Sequence, residues 1–308
     1  MIDADGPVGE RRTPDTALAM FERERRRLFG IAYRMLGSVS EAEDIVQDAY
    51  VRWHAVAHER VENASAFLVR LVTRLCIDAL KSARNRRTDY VGPWLPEPFL
   101  VSDGHADHPA AMLELADDLS MAFLLLLERL TPVERAVFLL HESFGFSYGE
   151  IAQVIGKSEQ NCRQIARRAR QHLDTGGHLA PADPQEHDLL LHHFLRATRD
   201  GDVQGMVQLL AHDAVLYADS GGKALAARNP ISGADHIARY LIGLDRKFVG
   251  QLEVRLATIN GRTGMLIYID GQLQNVVSLL IVDGKIQRLF LVVNPDKLPH
   301  GPYERLAD

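Results

Sequence analysis

Gln160, Arg163, Gln164 and Arg167 follow one another at intervals of three, one and three residues between Ser147 and Leu173. On a helix that spacing gathers amide and guanidinium groups on one face, donors suited to base edges and phosphates in a major groove. Cys162, Ile165, Ala166, Ala169 and Leu173 fall on the other side, small or apolar, so the same helix has a core face. A second cationic series, Arg70, Arg74, Lys81 and Arg84, runs at helical spacing into Arg86 and Arg87 and suits a polyanion. Asp44, Gln47, Asp48 and Arg52 form a third exposed series, mostly acidic, better matched to a protein surface than to nucleic acid.

Short, strongly capped helices must position these groups. Ser147 and Glu150 have capping-box spacing ahead of Ile151, Ala152 and Ile155. Gly156-Lys157-Ser158 then supplies a tight turn, and Ser158 can cap the helix that carries Gln160 to Arg167. Two short helices joined this way are a helix-turn-helix arrangement, whose second helix enters the major groove. Upstream, Thr131, Pro132 and Glu134 read as N-cap, N1 proline and N3 acid. Nearer the N-terminus, Leu28, Ala32 and Leu36 make an apolar stripe. A helix is expected to open at Ser40, with Glu43 completing a capping box and Ile45, Ala49 and Trp53 inward. Residues 54–64 are polar and aperiodic, hence a loop. The next helix runs from after Ser65 to Arg87 and buries Leu68, Leu71, Val72, Leu75 and Ala79.

The expected fold class is therefore multidomain: two all-α helical domains followed by an α+β domain. Residues 15–88 form the first helical domain and 112–175 the helix-turn-helix domain. Between them, 89–111 is a linker, since Pro93, Pro96, Pro98 and Pro109 forbid a continuous helix. Trp94 and Leu95 predict that this linker packs against something. After a second linker at 176–186, residues 187–298 read as helices near 188–199 and 202–210, a strand at 214–218, a helix at 234–248, and strands at 252–259, 264–269, 273–282 and 286–293. Asn260-Gly261 and Asp283-Gly284 sit where hairpin turns are needed, which predicts an antiparallel sheet; 299–308 is a tail.

The formal charge of −6 argues against a uniformly cationic nucleic-acid binder, yet bases cluster at 81–87 and 163–170 while acids dominate 41–48 and 103–118. Such a protein binds DNA through patches, weakly when alone. No apolar stretch approaches the ~20 residues a membrane span needs, and the polar N-terminus lacks the apolar core of a secretory signal. Cys76 and Cys162 lie far apart inside helical patterns, against a disulfide framework and for a reducing compartment, with the cytoplasm as default. His187, His192 and His193 lack ligand spacing and are expected to be packing or surface residues; no metal or cofactor is implied.

Ile31-Ala32-Tyr33-Arg34-Met35-Leu36-Gly37 with Glu41 through Tyr50, and Leu130 through Leu140 continuing as Phe146-Ser147-Tyr148-Gly149-Glu150-Ile151-Ala152, resemble regions two and four of the extracytoplasmic-function sigma family. The resemblance covers roughly the first 175 residues. It implies core RNA polymerase and promoter DNA as partners. The helix bearing Asp44, Gln47, Asp48 and Arg52 would dock on the β′ clamp helices, and the β subunit would be a further contact. The loop before Ser65, with Asn63 as candidate for an unstacked base, and the basic helix would hold the minus-ten element. Ser158, Gln160, Arg163, Gln164 and Arg167 would meet the minus-thirty-five element. The remainder is similar to a subgroup with a SnoaL-like, cone-shaped C-terminal domain. Trp94-Leu95-Pro96-Glu97-Pro98 matches its linker signature, and Asn294-Pro295-Asp296-Lys297-Leu298 its C-terminal motif. Asp219-Ser220-Gly221-Gly222-Lys223 matches its Asp-three-Gly-Lys motif, with Ser220 where the motif has the first glycine; glycine tolerates positive φ and serine does not. The resemblance implies modulation in cis by this domain, and the three motifs are expected to meet in space through Trp94, Pro96, Asp219, Gly221, Gly222, Lys223, Asn294, Pro295, Asp296 and Lys297.

Two alternatives stay open at the level of sequence. Asp219, Tyr217, Tyr268 and Asp270 are candidates for an enzymatic or ligand-sensing pocket, although Asp219 and Asp270 equally suit turns before Gly221 and Gly271, the favoured reading. The other is a helix-turn-helix regulator fused to a small-molecule enzyme or sensor, in which the acidic helix has no role.

Overall fold

The computed structural model describes residues 14–56, 61–87, 90–100, 119–174, 182–248 and 250–299. Three helices come first: α1 (Pro14–Leu36), α2 (Val39–His54) and α3 (Ala64–Arg87). Ser38, not Ser40, caps α2, its side chain accepting from Glu41 N at 3.2 Å. Gly37 at φ 68 ends α1 and lets the chain reverse immediately, which shifts the cap two residues upstream of the expected one. Four short helices follow, α4 (Met121–Leu127), α5 (Pro132–Glu142), α6 (Tyr148–Ile155) and α7 (Glu159–Asp174). Capping boxes form at Thr131 with Glu134 and Ser147 with Glu150, each cap contributing about 1 kcal/mol, whereas the box expected from Ser40 and Glu43 does not form.

Helices α1–α3 and α4–α7 share one apolar core, in which Leu36 and Leu68 belong to the same cluster as Ile151 and Cys162. Arg135 is buried at this junction and donates to Met35 O (2.6 Å) and Glu128 Oε1 (2.7 Å).

The C-terminal part contains α8 (Pro184–Asp200), α9 (Val203–Leu209), β1 (Leu210–Asp219), β2 (Ile231–Ser232), α10 (Ala234–Lys247), β3 (Leu252–Ile259), β4 (Arg262–Ile269), β5 (Gln272–Val282) and β6 (Lys285–Val292). The sheet order is β2-β1-β6-β5-β4-β3. It is mixed, correcting the antiparallel expectation: β1 pairs with β6 in parallel, Leu216 opposite Leu289. Turn signals reveal only hairpins, and this pair joins strands some 70 residues apart. The hairpins turn at Asn260, Asp270 and Asp283, all near φ 50, each followed by a glycine at positive φ.

Both faces of the sheet are covered. Met265, Val277, Leu279, Leu289 and Leu291 pack under α8, α9 and α10. Leu266, Tyr268, Val276, Leu280, Phe290 and Val292 face the other way, against Leu95 and Leu100 of the linker and Met121 and Ala122 of α4. Runs such as Val276-Val277 and Leu279-Leu280-Ile281 are apolar on both sides for this reason.

Candidate functional site

The three short motifs meet at one carboxylate. Asp219 ends β1 fully buried, and both its oxygens are occupied. Oδ1 accepts from Tyr90 Oη (2.5 Å) and Gly221 N (3.1 Å), Oδ2 from Leu95 N (2.8 Å) and Lys297 Nζ (2.7 Å). Its backbone carbonyl takes Val293 N and Asn294 N at 2.8 and 2.9 Å. Lys297 also donates to Leu95 O (2.6 Å), and its ammonium lies 4.3 Å from the Trp94 ring centroid and 5.1 Å from that of Tyr90.

The rest of the motifs fit around this centre. Asn294 Nδ2 donates to Tyr90 Oη at 3.0 Å, while Asn294 Oδ1 accepts from Asp296 N and opens a 3-10 turn with Pro295 at its start. Lys223 pairs with Asp296. Gly221 must be glycine, since at φ 55 a Cβ would fall 2.5 Å from Asn294 Nδ2; Gly222 at φ 75 lies against Val91. Ser220 stays out of the positive-φ region and accepts from Gly222 N at 3.3 Å, so its place in the motif costs no backbone strain. Burial, with the Asp219 carboxylate beside it, pushes the Tyr90 phenol up and keeps it a donor.

On the other side the linker grips α1 and α2. Pro96 is buried, and a Cβ at Gly37 would meet the Trp94 ring at 2.8 Å. Glu97 N donates to Gly37 O (2.8 Å), and Tyr33 Oη donates to Glu97 O (2.8 Å).

The DNA-facing candidates are solvent-exposed. Gln160, Arg163, Gln164 and Arg167 share the outer side of α7, and Ser158 caps it, accepting from Asn161 N at 3.2 Å. Arg163 is held by Glu159 (2.5 Å) and lies 4.9 Å above the Tyr148 ring. Arg70, Arg74 and Lys81 are exposed on α3, Lys81 beside Asp78 at 3.2 Å; the Arg84 side chain lies outside the described residues. Asn63 is the N-cap of α3, accepting from Ala66 N at 3.0 Å. Asp44, Gln47, Asp48 and Arg52 are exposed together on α2, with Val51 among them. The helix-turn-helix turn packs close to α3: a Cβ on Gly156 would start 3.7 Å from the Arg74 guanidinium.

Of the pocket candidates, Tyr217 and Tyr268 belong to one apolar cluster, while Asp219 is taken up by the motifs and Asp270 lies apart from them. Asp270 is an exposed turn residue, Tyr217 stacks on Phe290, and Tyr268 lies under the Arg255 guanidinium. His187 is buried, its Nε2 2.7 Å from Thr263 O; His192 and His193 are exposed. Among the described residues no three His, Cys, Asp or Glu side chains group to hold a metal, and no helix is long and apolar enough to cross a membrane. Tyr90, Tyr33, Glu97, Asn260 and Arg135 were not singled out from sequence as joining residues. A tyrosine in a proline-rich linker was the one available signal, for Tyr90.

Known proteins match along most of the chain. The Sigma-70 region 2 family model matches residues 20–86 and the Sigma-70 region 4 model residues 120–173. The chain is 36% identical to the ECF RNA polymerase sigma factor SigJ of Mycobacterium tuberculosis, covering 92% of this chain and 93% of that protein. It is 30% identical to the probable ECF RNA polymerase sigma factor SigI of the same organism, covering 92% and 95%. The crystal structure of the M. tuberculosis SigJ protein superposes with a TM-score of 0.75 at 33% identity, over 91% of this chain and 97% of that one. With both region models in order and relatives matched nearly end to end, the chain belongs to the extracytoplasmic-function RNA polymerase sigma factors, which bind core polymerase and direct promoter-specific initiation.

Proposed function

We propose that this sigma factor is restrained in cis by its C-terminal domain, which holds regions two and four in a closed arrangement. In the promoter complex, α2 would dock on the β′ clamp helices through Asp44, Gln47, Asp48 and Arg52. Asn63, Arg70, Arg74, Lys81 and Arg84 would hold the minus-ten element, and Ser158, Gln160, Arg163, Gln164 and Arg167 the minus-thirty-five element. By their own names those elements lie about 25 base pairs apart, about 85 Å along B-DNA. The turn at Gly156 instead sits against Arg74, so region four must swing away from region two before both elements are engaged. The domain boundaries read from the sequence give the units that would move.

The observation that carries the proposal is the set of bonds on Asp219. One buried carboxylate ties the linker (Tyr90, Leu95), the sheet and the C-terminal Lys297 together. Its four acceptor contacts leave no oxygen free for proton transfer, which favours a structural role over catalysis in this domain. Two buried, widely separated cysteines fit action in the reducing cytoplasm.

In vitro transcription with purified core polymerase tests this, using a promoter selected from a genomic library. Full-length protein is compared with Asp219→Ala and with a version ending at Thr175. Restraint predicts more promoter-specific transcript from Asp219→Ala than from the full-length protein. Equal or lower yield from both altered proteins would remove the restraining role.

A further inference from the structure

A second junction lies on the far side of the linker, built from residues outside the Asp219 cluster. Asn260, in the β3–β4 hairpin, is buried at φ 51. Its Nδ2 donates to Tyr33 Oη at 2.6 Å, its Oδ1 accepts from Phe99 N at 3.1 Å, and its backbone N donates to Phe99 O at 2.8 Å. Tyr33, on α1, donates its own hydroxyl hydrogen bond to Glu97 O, and its ring and that of Phe29 pack on Phe99. Tyr33 is thus bonded at once to the linker and to a residue 227 positions away. Unsatisfied, these buried groups would be costly, so the four partners hold one another in a single arrangement.

What that arrangement places is the Glu97 carboxylate. Its Oε2 accepts from Ser38 Oγ (2.9 Å), Val39 N (2.9 Å), Ser40 Oγ (3.3 Å) and Ser40 N (3.4 Å). Val39 N and Ser40 N are orphan donors of the first turn of α2, and a negative charge there also opposes the positive end of the helix. Ser38 alone satisfies only Glu41 N. The linker therefore completes the cap that Ser38 begins, taking the two first-turn N–H groups that Ser38 leaves.

We propose that Glu97 and Asn260 are positioning residues for polymerase binding: the β3–β4 hairpin holds the linker through Asn260, Tyr33 and Phe99, so that Glu97 orders the first turn of α2. The C-terminal domain thereby acts on the polymerase-facing helix as well as on the separation of the DNA readers. The proposal rests on the assignment of α2 as the docking helix.

Amide hydrogen exchange on the free, full-length protein and titration of core polymerase test it together. Asn260→Gly keeps the turn conformation and removes only the side chain; Tyr33→Phe removes only a hydroxyl and guards against a misfolded variant. Both should speed exchange at Val39 and Ser40 about fivefold, leaving α5 and α7 unchanged, and should weaken core binding several-fold, with Glu97→Ala doing the same. Exchange at Val39 and Ser40 within twofold of the unaltered protein would overturn the coupling. Faster exchange with unchanged core affinity would overturn the positioning role. Asp48→Lys serves as the control: if it too leaves core affinity intact, the docking assignment of α2 has failed, while the exchange result still decides the coupling.

Discussion

Lys297 Nζ lies 2.7 Å from Asp219 Oδ2 across 78 residues of chain, the carboxylate fully buried and the lysine side chain 12% exposed. A pair so placed gains little over two apolar residues of the same shape, but removing one member strands the other in a low-dielectric site. In the register that the C-terminal turn takes on the linker, Lys297 also finds Leu95 O and the Trp94 ring.

Asp219→Ala and Lys297→Ala are each expected to cost about 3–5 kcal/mol of stability. The double substitution should cost clearly less than the sum, because the second change no longer strands a charge. Urea denaturation of the four proteins measures the cycle, and strict additivity would deny the pair any coupling.

Gly37→Ala should destabilise by about 1–3 kcal/mol. Gly37 sits at φ 68, and an added methyl would meet the Trp94 ring at 2.8 Å. Because the indole stacks under Lys297, Trp94 fluorescence should also shift toward a more solvated spectrum, Trp53 staying buried in its own core. A Gly37→Ala protein with unaltered emission and midpoint would show that the turn and the ring do not press on each other.

Arg163→Ala should cost about 1–3 kcal/mol at one promoter position if the guanidinium reads a base. Uniform weakening over all sequences, with a shallower salt dependence, would assign it to phosphate instead. Glu159 holds this arginine in the free protein, so Glu159→Gln should alter discrimination at the same position and at no other. Selection of bound promoter variants reads both outcomes.

His187 gives the fold a pH dependence of definite sign. Burial holds its pKa below the ordinary 6.5, outweighing the Nε2 hydrogen bond to Thr263 O, which favours the protonated ring. As pH falls through 6.5 the unfolded chain takes up the proton first, so stability declines from there down to the folded pKa and then levels. His187→Phe should flatten that part of the curve. Denaturation midpoints between pH 7.5 and 5 decide it, and an unchanged slope would acquit His187.

Local signals in the sequence determined most of the elements. Ser147 with Glu150, Thr131 with Pro132, and the Asn-Gly and Asp-Gly turns act within four residues, so the capping boxes and hairpins formed where the spacing put them. The two-sided chemistry of α7 was legible for the same reason: a helix turns its residues out at a fixed angle, and exposure follows from spacing alone. The identity of the motifs around Asp219 was also readable, though not the atoms that join them. Tertiary structure decided what no local rule carries. The parallel β1–β6 pairing, the burial of both faces of the sheet and the common core of the two helical regions depend on which surfaces meet once apolar area is removed from water. Asn260 shows the difference most plainly. Its sequence signal is that of a turn residue, which it is, but its amide bonds Tyr33, and only the folded chain brings those two together. Hydrogen bonds between buried side chains are set by three-dimensional proximity, and spacing along the chain records none of it.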